Sequence, residues 1–499
     1  MARSSVRPAA RGSHHGAGAE GSPANVCLLS NGRYTVMLTQ AGSGYSTCDG
    51  IDVTRWREDA TTDCWGQFFY IRDLDGGGAW SASRQPLAGE ADEYETILGS
   101  DRTVFQRRDG DIETRSEIAI AADADAEVRR IRLTNHGVLP RTLDVTSYAE
   151  VSLNSRRADQ AHPAFAKLFL ETEYLPAPPT LLCRRRPRAR DQKPIWALHF
   201  LAGPESADTA VGAVEYETNR AKFLGRGRST ASPAALDSAV ALSGTIGPVL
   251  DPIFSLRRRV RLAPGTSAVL AFGTARAADR NEAVALAQRF SDLAEVARTF
   301  EQSTLQSDAT LVALGISPED AGLFHRLAAH VLFTGPALRS RESVIGNRLG
   351  QSGLWPHAIS GDLPIVLGRF SSPGQSNLAR ELIRAHAYWR RCGLVADLVL
   401  LHDADPADEL HEQLEELVRL GPTSEMADKP GGVFLRGAAE MPAADVMLLE
   451  AAARAILRGD NGSLAEQLER APTPTTLPAN LRVTPVTTTA TPSKSIPAG

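Results

Sequence analysis

The chain has 499 residues, 42% of them hydrophobic and 23% charged, with a formal net charge of −5. A chain of this length can bury a sizeable core and should form two or three domains. The small acidic excess gives no electrostatic footprint for nucleic acid or an anionic membrane, and no apolar run approaches the length of a bilayer-spanning helix.

Met1 to Ala24 is rich in Ala, Gly, Ser and Arg and lacks the apolar core of a secretory signal, so residues 1–25 are expected to form a disordered leader. Residues 26–275 read as a large antiparallel β-supersandwich. Tyr34–Thr39 (YTVMLT) and Gln67–Arg72 (QFFYIR) suit strands, and Ile112–Ile120, Glu127–Thr134 and Thr142–Val151 alternate with period two. Asp109-Gly110 and Asn135-His136-Gly137 supply turns between them. Near Ala275 the texture changes. Apolar residues recur at helical spacing through Asp279–Leu305, Ala321–Thr334, Ser376–Cys392, Asp408–Leu420 and Ala443–Arg458, which predicts a helical domain over 276–470. The fold class expected is therefore α+β, with a β half followed by an all-α half. Residues 471–499 are Pro/Thr-rich without apolar periodicity and are expected to be a disordered tail.

Two stretches combine aromatics with hydrogen-bonding groups, the pairing that a sugar's apolar face and hydroxyl rim would use. In the first, Thr54–Asp59 (TRWRED), the candidates are Trp56, Arg57 and Asp59. The competing reading makes Trp56, Trp65 and Trp80 core aromatics. The second, Gly350–Pro364 (GQSGLWPHAISGDLP), places Gln351, Trp355, His357 and Asp362 in a Gly/Pro-broken loop. Asp159 and His162 could act as a general base pair, but structural hydrogen bonding is the expected role. Arg184–Arg190 reads as a solvated basic loop, and Phe223–Arg228 lacks the spacing of a nucleotide-binding loop. Asp397 sits in an apolar run, either as an acid of raised pKa or as a satisfied buried carboxyl. The five cysteines are odd in number and scattered, so free thiols are expected, with no disulfide framework, metal site or cofactor.

The string from Asn31 to Pro86 (NGRYTVMLTQAGSGYS…VTRWREDAT…WG…RD…WSA…QP) resembles the first β-sandwich unit in the phosphorylase-like half of cyclic β-1,2-glucan synthases, itself related to the N-terminal sandwich of family-94 glycoside phosphorylases. Further similarity follows in order at Asp159–Phe165, Phe223–Arg228, Leu250–Arg258, Gly350–Pro364, Gly393–Leu401, Asp428–Arg436 and Gly462–Arg470. The resemblance implies a galactose-mutarotase-like supersandwich followed by helices resembling part of an (α/α) barrel. It implies β-1,2-glucan or another β-glucoside as ligand, adjoining synthase domains as partners, and inorganic phosphate in the parent enzyme. Family-94 phosphorolysis is inverting: a carboxylic acid protonates the glycosidic oxygen while phosphate attacks the anomeric carbon. The family's acid lies in an Asp-Trp-Asn-Asp-Gly type segment, which this sequence does not contain. A non-catalytic carbohydrate-binding or structural module is therefore expected, a piece of a synthase without catalytic residues of its own. An active β-1,2-glucan phosphorylase or glycosyltransferase is the alternative. The family also implies a parent in the bacterial inner membrane with this unit on the cytoplasmic side.

Overall fold

The computed structural model describes residues 25–470, apart from 60, 188, 190–192, 205–208, 238–240 and 404–407. The expected leader up to Ala24, the Pro/Thr-rich tail and part of the 184–190 basic cluster lie outside the described residues.

Two antiparallel sheets form the first half. The nine-stranded sheet runs in the order Val26–Ser30, Tyr34–Thr39, Gly44–Cys48, Ile51–Thr54, Arg141–Asn154, Pro252–Leu262, Ala210–Asn219, with Gln67–Asp73 and Ala79–Ser81 branching from the long central strand. The eight-stranded sheet runs Leu170–Pro176, Pro179–Arg185, Ile195–Ala202, Ser267–Ala277, Ala126–Asn135, Ile112–Ile120, Thr103–Asp109, Glu93–Leu98. Alternation along the strands decides which side chains meet. Val36, Leu38, Phe69, Ile71 and Val145 from the first sheet face Ile118, Ile131, Leu270 and Phe272 from the second, with the rings of Phe69 and Phe272 4.9 Å apart. This is the expected supersandwich.

The outer face of the eight-stranded sheet is covered by helix Arg280–Phe290, whose Phe290 ring stacks on Phe200 at 5.5 Å. Gly273 lies directly beneath Phe200, where a Cβ would fall 2.0 Å from the ring. Helix Leu293–Leu314 then runs to a left-handed cap at Gly315. Ser317 and Asp320 form a capping box at the start of helix Pro318–Leu332, which lies against the outer side of the nine-stranded sheet.

Beyond this helix the structure departs from the all-helical expectation for 276–470. The helices are present, but they alternate with four strands of a parallel sheet, in the order Val433–Gly437, Asp397–His402, Ile365–Phe370, Ala455–Arg458. Helices Ser376–Arg391 and Glu409–Leu420 fill the face toward the sandwich, and helix Ala443–Ala452 fills the other. The region is thus a doubly wound α/β unit, which corrects the part-barrel comparison. Its strands are short, mostly apolar and largely buried, and such runs carry no period-two signal to separate them from buried helix.

The two halves share one core. Trp56, Tyr45, Leu28 and Met37 of the sandwich pack with Phe324, Phe333, Tyr388 and Trp389 of the second half. At its edge Glu58 accepts hydrogen bonds from Arg454 and Thr334.

Candidate functional site

Among the candidate residues, the structure brings together those of the 350–364 loop. Gln351–His357 forms a short 3-10 turn ended by Ala358 in the left-handed region, and Gly361 turns the chain again at φ 72°. Leu354 and Ile359 point inward and join Ile365 and Leu448 in the core beneath. That anchoring leaves Trp355 outside, 62% exposed, with its indole Nε1 donating to the Ser360 carbonyl at 3.3 Å. Gln351 Nε2 donates to the same carbonyl at 2.8 Å and to Asp362 Oδ1 at 3.0 Å. Amide, indole and carboxylate are therefore preset around one short turn.

His357 faces the other way. Its Nε2 lies 2.9 Å from Asp445 Oδ2, and its carbonyl accepts two hydrogen bonds from Arg436 at 2.9 and 2.8 Å. Arg436 in turn donates to Asp428 Oδ1 at 2.7 Å. His357 thus ties the loop to helix 443–452 and strand 433–437 and does not border open solvent with Trp355. Asp428 and Arg436 are not recognisable as neighbours of the loop from sequence, because only the parallel sheet brings strand 433–437 beside it. Exposed Leu349 lies beside Gly353 of this loop, and exposed Met447 lies beside Gly346 just before it. The arrangement can stack on an apolar face and bond its hydroxyl rim.

The first candidate group is dispersed. Trp56 is only 6% exposed, with Tyr45 at 5.5 Å, Phe333 edge-on at 6.0 Å and the Arg156 guanidinium 5.0 Å over the ring. No ring face is left for a sugar, so Trp56 belongs to the core. Arg57 lies over Trp65 at 5.7 Å. Asp59 is turned to its own loop, accepting from the Thr61 hydroxyl and amide at 2.6 and 2.8 Å and from Thr62, and these bonds hold its pKa down at about 2.

Other chemically suggestive residues are committed elsewhere. Asp159 is buried against Arg55, whose Nε lies 3.0 Å away, whereas His162 points to solvent. Lys167 pairs with Asp251 at 2.7 Å. Burial raises the pKa of Asp397, whose Oδ1 accepts from the Gly431 amide at 2.6 Å. Asp397 is fully enclosed, so it has no path to a glycosidic oxygen. Arg228 is spent on Asp237 within its own loop. Cys48, Asp49 and Asp125 sit within ligand distance of one another, but Arg33 reaches Asp125 at 2.9 Å and Arg276 reaches Asp49 at 3.0 Å. Burial pushes the Cys48 thiol up to about 12, so this cluster is a guanidinium-neutralised structural group.

At the open end of the sandwich a cavity of about 330 Å³ is bordered by Trp80, Arg107, Arg141, Asp73, Asp109 and Asp111. Both its arginines are paired internally, Arg107 with Asp109 and Arg141 with Asp73, and the Trp80 indole donates to Thr114. Among the described residues no helix is long and apolar enough to cross a membrane.

Comparison with known proteins agrees with this architecture. The family described as "Glycosyl hydrolase 94, supersandwich domain" matches residues 17–293. Cyclic beta-(1,2)-glucan synthase NdvB of Rhizobium meliloti (strain 1021) is 34% identical over 448 residues, 89% of this chain and 16% of that protein. The N,N'-diacetylchitobiose phosphorylase of Vibrio proteolyticus is 23% identical over 310 residues, 61% of this chain and 37% of that protein. A 3-O-beta-D-glucopyranosyl-beta-D-glucuronide phosphorylase of Paenibacillus borealis is 30% identical over 23% of this chain and 14% of its own length. The chain thus spans well under half the length of each of these relatives. With the two-sheet sandwich and the matched family covering the same residues, this chain belongs to the glycosyl hydrolase 94 supersandwich family, a carbohydrate-related family.

Proposed function

We propose that this chain is a non-catalytic, carbohydrate-contacting unit of a cyclic β-1,2-glucan synthase, with Trp355, Gln351 and Asp362 contacting the glucan. The observation that carries this reading is the exposed indole held beside an amide and a carboxylate on a rigid turn. The named synthase relative supports β-1,2-linked glucose as the ligand class. The absence of a catalytic role rests on Asp397, the residue with a raised carboxyl pKa on this side of the fold, being enclosed. Adjoining synthase domains are the expected partners, on the cytoplasmic side of the membrane that holds the parent. Inorganic phosphate belongs to the parent's reaction.

Calorimetric titration with β-1,2-glucooligosaccharides tests the reading. Binding is expected at millimolar sugar, and Trp355→Ala should weaken it roughly tenfold, about 1.4 kcal/mol, by removing the stacking surface. A heatless titration leaves only a scaffold. Release of glucose 1-phosphate from β-1,2-glucan and phosphate, lost on Asp362→Asn, overturns the non-catalytic part.

A further inference from the structure

Topology and side-chain chemistry converge on a second site, beside strand 455–458. The parallel sheet grows outward from strand 365–370 to 397–402 and 433–437, then returns to add 455–458 on the opposite side. The strand order therefore reverses between 365–370 and 455–458, where open α/β sheets take ligands at their carboxyl ends. In this protein that crevice is plugged. Gln375 rests on Gly459, where a Cβ would fall 2.3 Å from its Oε1, and the same oxygen accepts from the Ser371 amide at 2.8 Å.

The open volume lies instead along the other side of strand 455–458. The segment before helix Arg341–Gly346 runs there, with the Ile456 amide donating to the Leu338 carbonyl at 2.7 Å. Between this segment and helix Leu464–Arg470 is a cavity of about 350 Å³. At about 30 Å³ per water it has room for roughly a dozen, enough for a hexose phosphate. Arg339, Arg458 and Arg470 line it together with Ser340, Asn461 and Gln467, and no carboxylate is among the described lining residues.

These three cations are held in place; Arg458 is paired with a carboxylate that it shares, and Arg470 and Arg339 are less closely neutralised. Arg470 Nε donates to the Glu466 carbonyl at 3.1 Å, while the Glu466 carboxylate is 3.9 Å away. Arg458 reaches Glu450 at 3.1 Å, a carboxylate it shares with Arg369 at 2.8 Å. Arg339 donates to the Ala451 carbonyl at 2.6 Å, and its buried Nε has no partner among the described residues. Burial and the neighbouring Arg454 both pull the pKa of Arg339 down, the signature of a cation without a counter-charge.

We propose that this cavity binds a phosphate-type oxyanion, either free or carried on a sugar. Arginines lining the cavity from three separate segments, each with N–H groups beyond those bonded to Ala451, Glu450, Glu466 and Asn461, suit the several oxygens of a tetrahedral anion, whereas a carboxylate offers one planar edge. The site shares no residue with the Trp355 loop, so it stands or falls independently of the glucan reading.

Titration calorimetry on the full chain with inorganic phosphate, glucose 1-phosphate and acetate is the test. Saturable phosphate binding is expected, tighter than acetate and weakened by added chloride. R470Q and R339Q are each expected to weaken phosphate at least tenfold. Arg470 is largely exposed, so R470Q retains the fold even if R339Q does not. Tighter binding of glucose 1-phosphate than of phosphate identifies a sugar-borne anion, and equal binding identifies the free one; both support the site. The proposal is overturned by the absence of saturable heat at about 10 mM phosphate, where even a millimolar site would fill. It is equally overturned by unchanged phosphate affinity in R470Q.

Discussion

Trp56→Ala is expected to cost about 3–5 kcal/mol of stability, in the range of other buried large aromatics cut to alanine. The indole is wedged where the sandwich meets the α/β unit, in contact with Tyr45 on one side and Phe333 on the other. Arg156 covers the Tyr45 ring at 4.1 Å and Trp56 at 5.0 Å, and its guanidinium is held by both oxygens of Asp52 at 3.0 Å. Truncation leaves a cavity at this joint and exposes one face of a partly buried cation. Urea unfolding followed by both fluorescence and circular dichroism is the measurement. A lowered midpoint is expected, with β-1,2-glucan affinity of the folded fraction unchanged because Trp355 is untouched. A wild-type midpoint would show that the wedge contributes little, and lost glucan affinity in a stably folded variant would return Trp56 to the ligand surface.

Acidification from pH 6.5 to pH 4 is expected to loosen the same joint. His325 Nε2 accepts from the Leu28 amide at 3.3 Å and from the Tyr388 hydroxyl at 3.0 Å, tying a sandwich strand to helix 376–391. Both bonds need a neutral ring, and burial holds the pKa of His325 down at about 4. Burial also depresses His386 to about 4 and His199 to about 3. The unfolded chain binds these protons near pH 6.5, so between that value and the folded pKa the unfolded state carries more of them. Stability is therefore full above pH 6.5 and falls as pH drops, by about 1.4 kcal/mol per unit for each such histidine. Asp52, Asp63 and Asp397 act in the opposite sense, since burial raises their pKa and protonation relieves them, but the three rings lie in a pH range where these carboxyls have only begun to protonate, so the net slope follows the histidines near pH 6. Calorimetric midpoints across this range are the check, with His325→Gln, which keeps an acceptor without a titrating ring, flattening part of the slope. A midpoint constant from pH 6.5 to pH 4.5 would contradict the account.

Strand alternation makes the sandwich legible in the sequence alone. Thr142–Val151 alternates because Leu143, Val145 and Val151 face the apolar space between the sheets while Asp144, Thr146 and Glu150 on the other face are polar, though buried as well, and period two records that difference. The parallel sheet was not legible in the same way. Ile365–Phe370, Asp397–His402 and Val433–Gly437 are short and mostly apolar without alternation, and they sit between amphipathic helices whose stronger 3.6-residue pattern dominates the region.

By itself the sequence determined the architecture of the first half, the family, and the cluster of Gln351, Trp355 and Asp362, because these depend on local periodicity or on residues a few positions apart. Only the tertiary structure separated Trp355 from Trp56, one indole open to solvent and the other closed within the joint. It alone brought Arg339 to Arg458 and Arg470 across more than a hundred residues of chain. The physical reason is that burial and charge balance are properties of what packs against a side chain, and those neighbours are chosen by strand order and helix docking, which no local pattern encodes.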